Sequence, residues 1–147
     1  MKKIVVMISL LIINVSCAFN GSYENEESEK KDAEKVADDF YEHIKNKEYT
    51  FVAPLFSEQF FKVVSKQQLL DIILKTNNVL GNYKSKKIIN WKTQRVVGSN
   101  PSNLYILIYE VEYEKYKATE TMKLIKNGNR IEIYNYHIDS EGFLKIN

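Results

Sequence analysis

Residues 119–138, TETMKLIKNGNRIEIYNYHI, decide the fold of this chain. Apolar and polar residues alternate on both sides of Asn127-Gly128, and the segment is rich in β-branched and aromatic residues, the pattern of two half-buried strands. Asn-Gly between such runs is the strongest short-range signal for a β-hairpin. Taken as a two-residue turn, Asn127-Gly128 pairs Leu124 with Ile131, Met122 with Ile133, Glu120 with Asn135 and Ala118 with His137. Side-chain direction has a period of two, so these residues share one sheet face.

Reading outward, the segment from Asn103 to Glu114 is a further strand, and a turn centred on Lys115-Tyr116 places Leu107, Tyr109, Val111 and Tyr113 on the same face. The run from Tyr83 to Val97 adds Ile89, Trp91 and Thr93, with Gly98 to Ser102, including Pro101, as the connecting loop. The opposite face collects Glu110, Glu112, Thr119, Thr121, Lys123 and Glu132, a solvated side on which Tyr134 and Tyr136 also fall. Ser140 to Asn147 reads as a short edge or a tail.

Before Gly81 the period is helical. Ala33, Val36, Ala37, Phe40 and Ile44 recur at three- and four-residue spacing between Lys30 and Asn46, which predicts an amphipathic helix. Tyr49, Val52, Leu55 and Phe56 form a shorter cluster interrupted by Pro54, which a helix tolerates only in its first turn or at a break. Ser65 is positioned to cap a helix carrying Leu69, Leu70, Ile72, Ile73, Leu74, Val79 and Leu80, with Gly81 to stop it. The expected fold is α+β: amino-terminal helices packed on a curved antiparallel sheet of four strands or more.

This order of helix, short helix, helix and long sheet resembles the cone-shaped fold of the nuclear-transport-factor-like superfamily, also called cystatin-like or ketosteroid-isomerase-like. The resemblance spans about residues 31–139, and the phrases Tyr109 to Tyr113, Met122 to Gly128 and Ile131 to Ile138 are similar to those of small secreted bacterial domains of unknown function. Members include isomerases, dehydratases, transport adaptors, immunity proteins and non-catalytic ligand binders, so the fold does not supply a function. The resemblance also implies that two copies associate through the outer sheet face, where Tyr134 and Tyr136 are the aromatic patch.

Isomerase-like members of that superfamily need a carboxylate base aimed into the cone and a donor such as tyrosine for an oxyanion. The register above gathers Glu120, Asn135 and His137 beside Tyr113, with Trp91 and Tyr109 as apolar walls, and this group is the expected pocket. The plainer expectation, and the one the residues favour, is that the sheet's curvature lifts this end out of the core and leaves the group wet, or that Glu120 and His137 satisfy each other. No segment matches a catalytic motif, so no catalytic residue is assigned. His43 stands on the first helix among charged neighbours, and the two histidines without nearby cysteines make no metal signature. No glycine-rich phosphate loop or nucleophile elbow is present, and no cofactor is expected.

The amino terminus adds location. Lys2 and Lys3 precede an apolar tract from Ile4 to Ile13, and Val15-Ser16 lead directly into Cys17, the single cysteine. Such a tract is shorter than the roughly 20 apolar residues of a spanning helix. This arrangement resembles a bacterial lipoprotein signal, with Asn14 where such boxes usually carry leucine. The resemblance implies removal of residues 1–16, diacylglycerol on the Cys17 thiol and an acyl chain such as palmitate on its amino group. Several chains together hold a protein stably on a membrane. Residues 17–29, small, polar and acidic, then read as a lipidated tether, and residues 30–147 as a single domain.

The balance of 21 Lys+Arg against 19 Asp+Glu includes Lys2 and Lys3, so the mature chain carries 19 of each. Such a neutral chain offers no electrostatic reason to bind nucleic acid. The expected partners are the bilayer, through the acylated amino terminus, and a small apolar ligand or another envelope protein. The expected place is the cell envelope, at the outer membrane where the source has two, because Ala18 is not the aspartate that often retains lipoproteins in an inner membrane. Two functions fit: a non-catalytic binding or interaction module, and an isomerase- or hydrolase-type enzyme using the polar cluster.

Overall fold

The computed structural model describes residues 21–99 and 101–145. The leader, Cys17 and residues 18–20 lie outside the described residues. The protein is α+β, with helices laid on a curved, unclosed antiparallel sheet. The sheet has five strands in sequence order: β1 (Gly21–Glu24), β2 (Tyr83–Val97), β3 (Ser102–Tyr113), β4 (Lys117–Asn127) and β5 (Arg130–Asp139). Helix α1 (Glu27–Asn46), a short α2 (Glu58–Phe61) and α3 (Lys66–Leu80) cover its inner face. The tail forms a turn of 3-10 helix, Glu141–Lys145.

The four expected strands are present within one or two residues of their expected ends. The fifth, β1, arises from the segment read as tether: Gly21–Glu24 pairs with Gln94 to Val97 of β2. Residue composition in that segment is polar because β1 is an edge strand with little to bury, and its pairing is carried by backbone hydrogen bonds. The following corner is fastened as well. Asn25 donates its backbone N–H to the Thr93 carbonyl at 2.9 Å, and the Glu26 N–H reaches the buried Thr93 hydroxyl at 3.0 Å. α1 begins at Glu27, three residues before the expected start.

α3 has the expected signals at both ends. Ser65 accepts from the Gln68 N–H at 3.1 Å, while the Gln68 side chain accepts from the Ser65 N–H at 2.7 Å, a complete capping box. Gly81 ends the helix with φ of +89°, and a Cβ there would stand 2.7 Å from the Glu114 Cβ, so only glycine fits.

Three registers differ from expectation. The β3–β4 turn is centred one residue earlier, on Glu114-Lys115, so Tyr109 rather than Val111 lies opposite Glu120. The β4–β5 loop is Gly128-Asn129, because Asn127 pairs with Arg130. Gly128 has φ of +59° whereas Asn129 is not among the positive-φ residues, and a two-residue loop of that kind takes glycine first. Leu124 therefore faces Ile133. Each of these shifts moves partners by two residues and keeps every side chain on its face.

The third difference does not. Between Lys123 and Leu124 the pairing slips by one, leaving Tyr134 as the extra residue of a β-bulge. Beyond it the faces of β5 exchange. Tyr136 and Ile138 turn inward opposite Met122 and Glu120, and Asn135 and His137 turn outward opposite Lys123 and Thr121. A similar irregularity between Ile88 and Asn90 sets Ile89 outside the core at 54 % exposure, and Ile88 packs inward in its place.

The space between sheet and helices is filled. Phe40, Tyr41, Leu69 and Leu80 from the helices meet Leu107, Tyr109, Met122, Leu124 and Ile133 from the sheet, all buried. Trp91 lies at the margin of this layer, half-buried, with the Lys30 ammonium 5.1 Å from its ring centroid.

Candidate functional site

A fully buried carboxyl group is the most unusual feature of the interior. Glu120 projects from β4 into the core beneath α1, and three tyrosines from three different elements donate their hydroxyls to it. Tyr113 of β3 reaches Oε1 at 2.6 Å. Tyr41 of α1 and Tyr136 of β5 reach Oε2 at 2.8 and 2.6 Å. Tyr83 stacks on Tyr41 with ring centroids 5.1 Å apart and meets Tyr113 edge-on at 6.3 Å. Desolvating a carboxylate is costly, and such a group is held only where hydrogen bonds replace water.

The electrostatics follow from this burial. Desolvation drives the Glu120 pKa up, and the hydrogen bonds from Tyr113, Tyr136 and Tyr41 offset part of the rise. The same burial, reinforced by the Glu120 charge, pushes Tyr41 and Tyr136 well above the ordinary phenol range and raises Tyr113. These phenols stay protonated and act as donors. They are the reverse of a tyrosinate base.

The expected pocket residues separate in the structure. Tyr113 and Glu120 meet as expected. Tyr109 lies directly across the ladder from Glu120, yet its own hydroxyl is buried without a hydrogen-bond partner. It sits under Lys86, whose ammonium is 4.9 Å from the Tyr109 centroid, 5.5 Å from that of Tyr41 and 2.5 Å from Asp38. Trp91 pairs with Leu107 away from the cluster. Asn135 and His137 do not belong to it at all: the bulge at Tyr134 places both on the exposed outer face. The same bulge removes Tyr136 from the expected outer aromatic patch and makes it a partner of Glu120.

Tyr41 and Tyr136 are the members that the sequence pattern did not give. Tyr41 had a signal, since it stands four residues after Ala37 on the helix face that packs down. Tyr136 had none, because a bulge leaves no mark in the alternation.

An open surface cleft of about 530 Å³, lined by Asp38, Tyr41, Tyr83 and Lys86 among others, reaches the outer side of Tyr41, but room inside the fold beside the cluster is small. A void of about 10 Å³ lies among Phe40, Ile44, Ile73, Thr76, Tyr113 and Tyr136. That is at most the space of one water, far from the several hundred Å³ of a ligand pocket. Among the described residues no group of three His, Cys, Asp or Glu side chains is placed to hold a metal ion. Comparison with known proteins finds no matching family model, no significant match among curated proteins and none among solved structures.

The geometry separates tyrosines that work from one that does not. Tyr136→Phe removes a short hydrogen bond to a buried carboxyl and is expected to cost about 1.5–3 kcal/mol in urea unfolding. Tyr109→Phe deletes an unpartnered buried hydroxyl and is expected to be neutral or mildly stabilising. Equal losses in the two variants would contradict the hydrogen-bond assignment.

Proposed function

We propose that the protein is a lipid-anchored, non-catalytic module of the bacterial cell envelope that works through its outer surface, by contact with another envelope protein. The anchor is Cys17, acylated after removal of residues 1–16. The domain is of the nuclear-transport-factor-like kind, and the outer membrane is its place where the source has two membranes. No described helix is long and apolar enough to cross a bilayer, so the anchoring reading rests on the leader and the single cysteine.

The observation that carries the non-catalytic part is the occupied interior. A general base must reach a substrate proton, and a binding carboxylate must reach a ligand group. Both oxygens of Glu120 are already engaged by phenols, beside a void of about 10 Å³. The isomerase or hydrolase alternative has no comparable support. A small apolar ligand inside the cone has none either.

Anchoring is tested by fractionation and mass. The wild-type protein is expected in the membrane fraction with an amino terminus at Cys17 carrying acyl chains, and Cys17→Ala is expected in the soluble fraction with unchanged folding. An unmodified amino terminus beyond Cys17 would reject this reading.

A further inference from the structure

We propose that the end of the domain from which the chain runs toward Cys17 lies against the bilayer, with the α2–α3 loop and the β4–β5 turn in the headgroup layer. The inference rests on acylation at Cys17 and adds an orientation to it.

The argument begins with chain length. Only Ala18, Phe19 and Asn20 separate Cys17 from Gly21. Four peptide units span at most roughly 14 Å when fully extended. From Gly21 onward the chain is committed to the domain: β1 pairs with β2 at Val97, and the Asn25 and Glu26 backbone is tied to Thr93. Among the described residues, none is therefore left to act as a swinging tether. Gly21 itself is held within about that distance of the lipid, and the same end of the sheet is the part of the domain nearest the anchor.

The registers say what lies there. Gly21 with Val97, Val96 with Ser102, and Asn127 with Arg130 align along one end of the sheet. The turn at Glu114-Lys115 and the carboxyl end of α3 close the opposite end, where the Lys115 N–H meets the Leu80 carbonyl at 2.9 Å. α3 starts at the Gly21 end, because Lys62, Lys66 and Arg130 line one open groove of about 830 Å³ with Phe61.

The side chains there suit a headgroup layer. Val63 is 79 % exposed at the tip of the α2–α3 loop, between Lys62 and Lys66, and Lys126 and Arg130 flank the neighbouring turn. An apolar tip between lysines is the arrangement that inserts shallowly while the cations meet lipid phosphates. The acids of this groove are partly engaged: Glu132 lies 3.7 Å from Arg130 and accepts from Asn127 at 2.8 Å, while Glu58 is exposed. The exposed acids of the amino-terminal corner, Glu24, Glu26 and Glu27, stand toward the β1 side of the sheet, with β1 four strand spacings or roughly 19 Å from β5. Anionic lipid thus draws the α2–α3 side down, while the link to Cys17 keeps the Gly21 corner of β1 within reach of the surface.

The test uses the full-length acylated protein in vesicles of phosphatidylethanolamine and phosphatidylglycerol that carry a headgroup spin label. One fluorophore is placed at Val63→Cys or at Leu144→Cys, the Cys17 thiol being consumed by the lipid. Leu144 is the control because it is 87 % exposed and belongs to the tail packed near Leu80 and Tyr116 at the opposite end. Quenching at position 63 is expected to exceed that at 144 several-fold. Asn129→Cys on the β4–β5 turn gives a second reporter that spares the helix loop, and is expected to follow position 63. Equal quenching at both ends, or more at 144, with acylation proved by mass, overturns the orientation and leaves the anchor standing. Absence of acyl mass at Cys17 overturns both.

Discussion

Glu120→Ala is expected to destabilise the protein by about 3–5 kcal/mol. The substitution deletes the shared acceptor of three buried hydroxyls, and each orphaned polar group costs about 1–3 kcal/mol, before any cavity cost. The three donors come from α1, β3 and β5, so one carboxyl group fastens the helix layer to two strands beyond its own. Glu120→Gln keeps the volume but offers the phenols an NH₂ donor where they need an acceptor, and should recover only part of the loss. Urea unfolding of the three proteins measures this directly. A loss under 1 kcal/mol in Glu120→Ala would show that the cluster is not a fastener.

The pH dependence has a definite sign. Burial raises the Glu120 pKa in the folded state, so the folded protein holds this proton to higher pH than the unfolded chain does. The contribution of Glu120 is therefore fully present below the unfolded carboxyl pKa and is lost as pH rises through the folded value. Subtracting the stability of Glu120→Gln from that of the wild type isolates this group. The difference is expected to fall with rising pH, and a difference that grows would mean that the hydrogen bonds outweigh desolvation.

Met122→Asp and Ile133→Asp are expected to be the other severe changes, each costing several kcal/mol and leaving little folded protein at 37 °C. Both side chains are fully buried in the layer between sheet and helices, and an introduced carboxylate there has no partner. His137→Asp and Asn135→Asp serve as controls on the exposed face of β5, where effects within about 0.5 kcal/mol are expected. Circular dichroism melts of the four variants distinguish the faces. Severe loss at Asn135 or His137 would indicate that β5 lacks the bulge.

These predictions trace how far the sequence could be read. Helix and strand positions came through because long periodic segments and their caps, such as Ser65 and Gly81, act locally. The buried faces of β3 and β4 came through for the same reason, and two-residue errors in register left them intact. What failed was anything dependent on a single extra residue. The bulge at Tyr134 exchanged Tyr136 and Ile138 for Asn135 and His137, and with them the chemistry of the expected pocket. β1 was hidden because an edge strand of four residues needs only backbone pairing and shows no apolar alternation. Tyr41 was legible in principle from helical spacing. The lipobox-like leader was read from the sequence alone.

The central claim is that the interior of this domain is packed and fastened, not a container. Native mass spectrometry of the wild-type protein extracted gently from membranes tests it most directly. The account predicts the mass of the acylated chain from Cys17 onward, with no further small molecule bound in stoichiometric amount. A bound molecule retained one to one by the wild type, and released by Tyr113→Phe or Glu120→Gln while the fold persists, would contradict it.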